Sequence, residues 1–205
     1  MELKDRIIQE ASILFFTKGV RSMTMSDIAN ELGISKRTLY EVFRDKEELI
    51  ETCVQNHFEK IDREIGIMVS NSEDVIDTLM RMYTKNLQEV QNTNKSVLHD
   101  LKKYHVSVYR KVKCRQNEGL QIFIPLFNKG IKQGLIREDM NFEILTWLLK
   151  AQFKALMDDE FIPTDKYPAE EFIRAIILNF IRGIATPLGN DKIDKIVAQL
   201  ANKTK

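Results

Sequence analysis

The sequence predicts an all-α protein, on three observations. Apolar residues recur at helical spacing along almost the whole chain. No stretch of useful length alternates apolar and polar residues with the period of a strand. The 205 residues contain only 4 prolines and 8 glycines, so few positions interrupt a helix. Hydrophobic residues at 43% and charged residues at 30% are ordinary for a globular chain, and the length suffices for one large domain or two small ones with a real core.

Each element has its own signals. Leu3, Ile7, Ala11, Leu14 and Phe15 pattern a first helix, which Gly19 stops. Thr24 precedes a short helix that ends near Leu32-Gly33, and Ser35 precedes another that ends near Phe43. Asp45 is placed to cap a long fourth helix, with Glu48 in position to complete a capping box; Leu49, Ile50, Cys53, Phe58, Ile61, Ile65 and Met68 pattern it. Ser70-Asn71-Ser72 breaks the pattern. Val75, Ile76, Leu79, Met80, Met82, Tyr83 and Leu87 mark the next helix, and Asn92-Thr93-Asn94 breaks again. A short basic helical stretch covers 96–105, and one long helix is expected over 106–132, through Tyr109, Val112, Leu120, Phe123, Leu126 and Phe127. Gly134 and Asp139 bracket a turn. Two strongly apolar helices follow, at 142–157 and 169–186; Pro163 and Pro168 separate them, and Pro187 and Gly189 are expected to end the second. A terminal helix is expected over 191–201. The domain boundary is expected inside the fourth helix, between residues 61 and 62, so that the linker is a rigid helix.

Several function classes are excluded. No apolar run approaches the ~20 residues needed to cross a bilayer. The charged start, Met1-Glu2-Leu3-Lys4-Asp5-Arg6, is unlike a signal peptide, which favours the cytoplasm. Cys53 and Cys114 lie far apart and read as reduced structural thiols. His57, His99 and His105 show no metal-ligand spacing, so no metal or other cofactor is expected. There is no P-loop, nucleophile elbow or convincing acid/base pair, so the chain does not read as an enzyme. Net charge is only +1, and the cations of residues 1–50 are balanced by acids. A nucleic-acid function in that region would rest on placing cations rather than on accumulating them.

Residues 24–43 fit a helix-turn-helix. Two helices that meet steeply over a very short turn need a residue tolerant of positive φ, and Gly33 fills that role. The first helix needs a small residue where the second approaches, and Ala29 is placed for it. Ile28, Leu32, Ile34, Leu39 and Phe43 supply an apolar wedge. Ser35 caps the second helix, whose first turn carries Lys36, Arg37 and Thr38. Such N-terminal residues are the ones that reach base edges in a major groove, where Lys and Arg donate to guanine O6 and N7. Glu41 either faces away or discriminates between bases.

Over its first ~50 residues the chain resembles the TetR family of bacterial transcription regulators. The resemblance is carried by Ile8, Ala11, Leu14, Phe15 and Gly19, then Thr24, Ile28-Ala29, Leu32-Gly33-Ile34-Ser35, Thr38-Leu39-Tyr40, Phe43, Lys46-Glu47 and Leu49. It implies a three-helix DNA-binding domain at 1–61 and a helical effector-binding and dimerisation domain at 62–205. It also implies roles. Thr24, Tyr40 and Lys46 bind phosphates, Ser26 contacts a phosphate or a base, and Lys36, Arg37 and Thr38 face the major groove behind the Ser35 cap. Two departures remove usual phosphate donors: Met25 stands where a second threonine is common, and Val42 where a histidine or tyrosine is common.

The function the resemblance implies is a homodimeric repressor, released from a palindromic double-stranded operator by a small molecule, with the helix after Lys46 as the lever. An activator, or a regulator that needs no ligand, is the alternative. Helices 142–157 and 169–186, apolar over more than one face, are the expected dimer interface. Met80, Tyr83, Tyr109, Phe123, Phe127, Trp147 and Phe153 are candidate pocket residues for an effector the sequence does not identify. The basic cluster Lys102, Lys103, Arg110, Lys111, Lys113 and Arg115 reads as a solvated face or a site for an anionic effector.

Overall fold

Eleven α-helices make up the fold among the described residues, which are 2–94, 96–116, 123–157 and 166–203 of a computed structural model. No strand occurs among them. An isolated antiparallel bridge joins Ile136 and Ala185. The chain divides into two units, Met1–Glu64 with Gln91–Gln116, and Ile65–Val90 with Asn117–Lys205. The first cut falls inside the fourth helix. The expected boundary assigned residues 91–116 to the C-terminal domain, whereas their contacts join them to the first unit.

The first unit contains α1 (Leu3–Lys18), α2 (Met25–Glu31), α3 (Lys36–Val42), most of α4 (Lys46–Ser70), α6 (Ser96–Tyr104) and α7 (Val106–Gln116). Ile7, Ala11 and Phe15 of α1 meet Ile28 and Ala29 of α2, Leu39 of α3 and Leu49, Ile50 and Cys53 of α4 in one core. Val97 and Leu101 of α6 and Val108, Tyr109 and Val112 of α7 complete it. Polar contacts fix the attachment of 91–116. The Asn94 N–H donates to the Phe16 carbonyl at 2.6 Å, and the Arg21 N–H donates to the buried Asp100 carboxylate at 3.0 Å. Gly19, at φ +92°, has no Cβ to push Ser96 away.

The second unit contains most of α5 (Val75–Asn92), with α8 (Ile124–Lys132), α9 (Phe142–Met157), α10 (Ala169–Ile184) and α11 (Pro187–Lys203). Its core joins Val75, Ile76, Leu79, Met80 and Tyr83 to Leu126, Phe127, Ile181, Ile184 and Ile193. Phe127 stacks on Phe142 with ring centroids 4.9 Å apart.

Three sequence expectations need correction. Of the helix expected over 106–132, the described residues form α7 up to Gln116 and a separate α8 that starts at Ile124 after Phe123. Pro125 stands in the first turn of α8, where its missing N–H costs nothing, whereas inside a longer helix it would break a hydrogen bond. Leu120 lies outside the described residues, as does Pro163. Pro187 and Gly189 do not close α10, which stops at Ile184 with Ala185 extended; Pro187 instead opens α11 as its first residue, and the Thr186 hydroxyl accepts the Gly189 N–H at 3.1 Å. At the start of α4, Asp45 accepts the Glu48 N–H at 2.9 Å as expected. The Glu48 carboxylate, however, takes the Arg44 N–H at 2.8 Å rather than that of Asp45, so the capping box does not close on itself.

Candidate nucleic-acid interface

Helix starts and one glycine build the α2–α3 unit. Thr24 and Asp27 form a reciprocal capping box: the Thr24 hydroxyl accepts the Asp27 N–H, while the Asp27 carboxylate accepts the Thr24 N–H at 2.8 Å. The Thr24 hydroxyl bond, with the backbone bond beside it, holds the Asp27 carboxyl below its ordinary range. At the other end of α2, the Ile34 N–H donates to the Ala29 backbone carbonyl at 3.0 Å and the Gly33 N–H donates to the Asn30 carbonyl at 3.1 Å. This double bond pattern requires the left-handed Gly33, found at φ +64°, as the turn predicts. Ala29 is buried at the turn, also as expected. Ser35 then caps α3, accepting the Thr38 N–H at 3.0 Å.

These caps aim one face of α3 outward. Leu39 is fully buried behind it, while Lys36, Arg37 and Tyr40 are exposed and Thr38 is half-buried. Lys36 Nζ lies 5.8 Å from the Tyr40 ring. Arg37, with 89% of its side chain exposed, donates through Nε to Glu41 at 2.9 Å. Glu41 therefore shares the exposed face with Arg37 rather than turning away. The pair uses only Nε, so the terminal guanidinium nitrogens stand outside it. Thr24 is exposed at the start of α2, and Ser26 is half-buried in its first turn.

Two expected phosphate donors have internal partners. The Thr24 hydroxyl donates to Asp27 at 2.6 Å. Lys46 Nζ donates to the Val20 carbonyl at 2.7 Å. Burial lowers the Lys46 pKa, opposed by attraction to Asp100 and Asp27. An ammonium carries three protons, so one carbonyl leaves Lys46 donors to spare. The Met25 departure has a structural reason. Met25 is 5% exposed and fills the core beneath α2, where a threonine hydroxyl would need a partner. Val42 packs half-buried against the same core.

The matched region lies in this same unit. Residues 7–53 match the model of a family described as bacterial regulatory proteins, tetR family. Over this segment the chain is similar to the TetR family. It is a DNA-binding transcription regulator and not an enzyme. Among its relatives is the HTH-type transcriptional regulator YvaF of Bacillus subtilis (strain 168), 28% identical over 180 residues that span 87% of this chain and 94% of that one. The biofilm operon icaADBC HTH-type negative transcriptional regulator IcaR of Staphylococcus aureus (strain Newman) is 27% identical over 159 residues, 74% of this chain and 85% of that one. A solved TetR-family regulator from Marinobacter aquaeolei VT8 shares the fold at a TM-score of 0.66 and 19% identity, covering 97% of this chain and 98% of its own.

The expected pocket residues divide between the two units. Tyr109 is buried in the core of the first unit. Met80, Tyr83 and Phe127 are buried in the second core, with Phe123 packed against it. Phe153 is half-buried on α9, and Trp147 is 60% exposed. An open cleft of about 570 Å³ in the second unit is lined by Asp77, Met80, Arg81, Thr84, Lys85 and Gln88 of α5 with Ile196 and Leu200 of α11. Of the expected residues it includes Met80 alone. No helix among the described residues is long and apolar enough to cross a membrane.

Proposed function

We propose that the protein is a cytoplasmic homodimeric repressor that binds a palindromic operator and leaves it when a small molecule binds the second unit. The observation that carries the DNA part is the outward face of α3, where exposed Lys36, Arg37 and Tyr40 stand in front of buried Leu39. Lys36 and Arg37 reach base edges from the first turn, with Thr38 beside them and Ser35 holding the turn in place. Thr24, Tyr40 and Lys46 bind backbone phosphates, and Ser26 contacts a phosphate or a base. Binding at Thr24 requires its hydroxyl to turn from Asp27.

Dimerisation is supported by α9. Ile144, Trp147 and Leu148 share one helical face and are 56%, 60% and 53% exposed, an apolar strip that a second copy covers together with α10. A two-fold dimer places its two recognition helices about 34–36 Å apart along a palindrome. The name of IcaR, a negative regulator, supports repression over activation. The α5–α11 cleft has the size of an effector site. An effector releases DNA only if it binds better to a conformation that no longer fits the operator.

The test is operator binding by the full-length protein, on a duplex selected from random-sequence DNA. Affinity should fall steeply with salt, by a log-log slope of about 0.9 per neutralised phosphate. Arg37→Ala should relax preference at one base position by about 1–3 kcal/mol. A salt-independent affinity would refute the phosphate roles, and a loss uniform over all sequences would make Arg37 a backbone contact instead. A monomer in sedimentation at micromolar concentration would refute the α9–α10 interface.

A further inference from the structure

The first unit acquires its positive charge from a segment remote in sequence. Residues 1–64 carry 10 Lys and Arg against 13 Asp and Glu, whereas residues 91–116 of the same unit carry 7 against 1. The C-terminal turn of α6 concentrates part of this excess in Lys102 and Lys103, both exposed. Among the described residues, neither has an ion-pair partner. Tyr104, 41% exposed, carries two cations on its ring: Arg21 Cζ lies 4.9 Å from the centroid and Lys103 Nζ 5.3 Å.

The position of this cluster gives the charge a use. Arg21 sits three residues before the Thr24 cap, and its N–H is held by Asp100 of α6 at 3.0 Å. The neighbouring Val20 carbonyl holds Lys46, the first residue of α4, at 2.7 Å. Just beyond Tyr104, His105 bonds Glu47, and Ser107 donates to the same carboxylate at 2.5 Å. The end of α6 is therefore pinned beside the starts of α2 and α4, where Thr24 and Lys46 are proposed to meet phosphates.

We infer that Arg21, Lys102 and Lys103, with Tyr104 as their platform, form a second phosphate-binding surface that grips the duplex backbone beside the half-site read by α3. Its occupant is DNA because the cluster continues the proposed interface and complements a polyanion. The contact reads no bases and lengthens the footprint. This inference rests on the DNA-binding reading above.

The experiment compares the full-length protein with Lys102→Gln/Lys103→Gln on the selected duplex, in long-flank and trimmed forms, from 50 to 200 mM salt. Loss of two phosphate contacts per protomer, and so four per dimer, should lower the salt slope by about 3.6, so that over this range the unmodified protein loses about a hundredfold more affinity than the variant. Base preference should not change, trimming the flanks should abolish the difference, and Lys102→Arg/Lys103→Arg should restore the slope. Circular dichroism checks that the variants fold alike. Equal slopes on the long duplex would overturn the inference and leave the α3 reading standing, as would an unchanged operator affinity accompanied by lost binding of a free anion such as inorganic phosphate. If the unmodified protein binds no duplex, the DNA reading fails and takes this inference with it.

Discussion

Around α2 and α3, polar contacts fix the backbone at each helix start: Thr24 with Asp27, Ser35 with Thr38, Asp45 with Glu48. Around α9, apolar side chains are left uncovered, with Ile144, Trp147 and Leu148 facing outward. The first arrangement spends its hydrogen bonds locally and keeps one geometry. The second holds apolar area in reserve, to be gained when a partner covers it. The surface proposed to match a stiff duplex and the surface proposed to associate are thus built from different interactions, and the two should respond differently to substitution.

The largest expected contrast pits Leu39 against Trp147. Leu39→Ala removes a fully buried side chain and should cost about 2–5 kcal/mol in chemical denaturation. Trp147→Ala should cost the isolated protomer less than about 1 kcal/mol, yet weaken association in sedimentation. If Trp147→Ala destabilises the protomer as much as Leu39→Ala does, the α9 strip is core and the comparison fails. Thr24→Ala comes next. It removes one half of the capping box and should cost about 1 kcal/mol, with thermal denaturation as the readout. A neutral result would mean that apolar burial alone fixes α2.

The smallest expected effect is on acid sensitivity. Desolvation pushes the Glu47 pKa up, but the bonds from Ser107 and His105 outweigh it and leave the group below its ordinary value. A carboxylate lowered in the folded state contributes stability above its unfolded pKa and loses it as pH falls through the folded one. Ser107→Ala should therefore narrow the gap between melting temperatures at pH 7 and pH 4. A gap equal to that of the unmodified protein would show that the Ser107 bond does not attach α7 to α4.

What the sequence made legible follows the same division. Gly33, Ala29, Thr24 and Ser35 were readable because each acts on residues within five positions of itself. The attachment of α6 was not, because Asp100 meets Arg21 across a separation of 79 residues and nothing local announces the pairing. Helical spacing marked Tyr109 and Trp147 as apolar positions without saying what each face meets. One turned into the first core and the other to the surface. The engagement of Lys46 with a backbone carbonyl was equally invisible, since any residue could supply that oxygen. Pro125, by contrast, was a readable break in the long helix.

The insertion of residues 65–90 between the two parts of the first unit governs how the chain can be made and cut. During synthesis, α1 to α3 leave the ribosome long before α6 and α7 exist, so Val97, Leu101 and Val108 reach their places only after part of the other unit has emerged. A fragment ending near residue 64 would present the apolar surface meant for them to water. The reading helices of this chain are thus not a detachable module, and a swap that transplants only the first 64 residues should yield an aggregation-prone protein unless residues 91–116 travel with them.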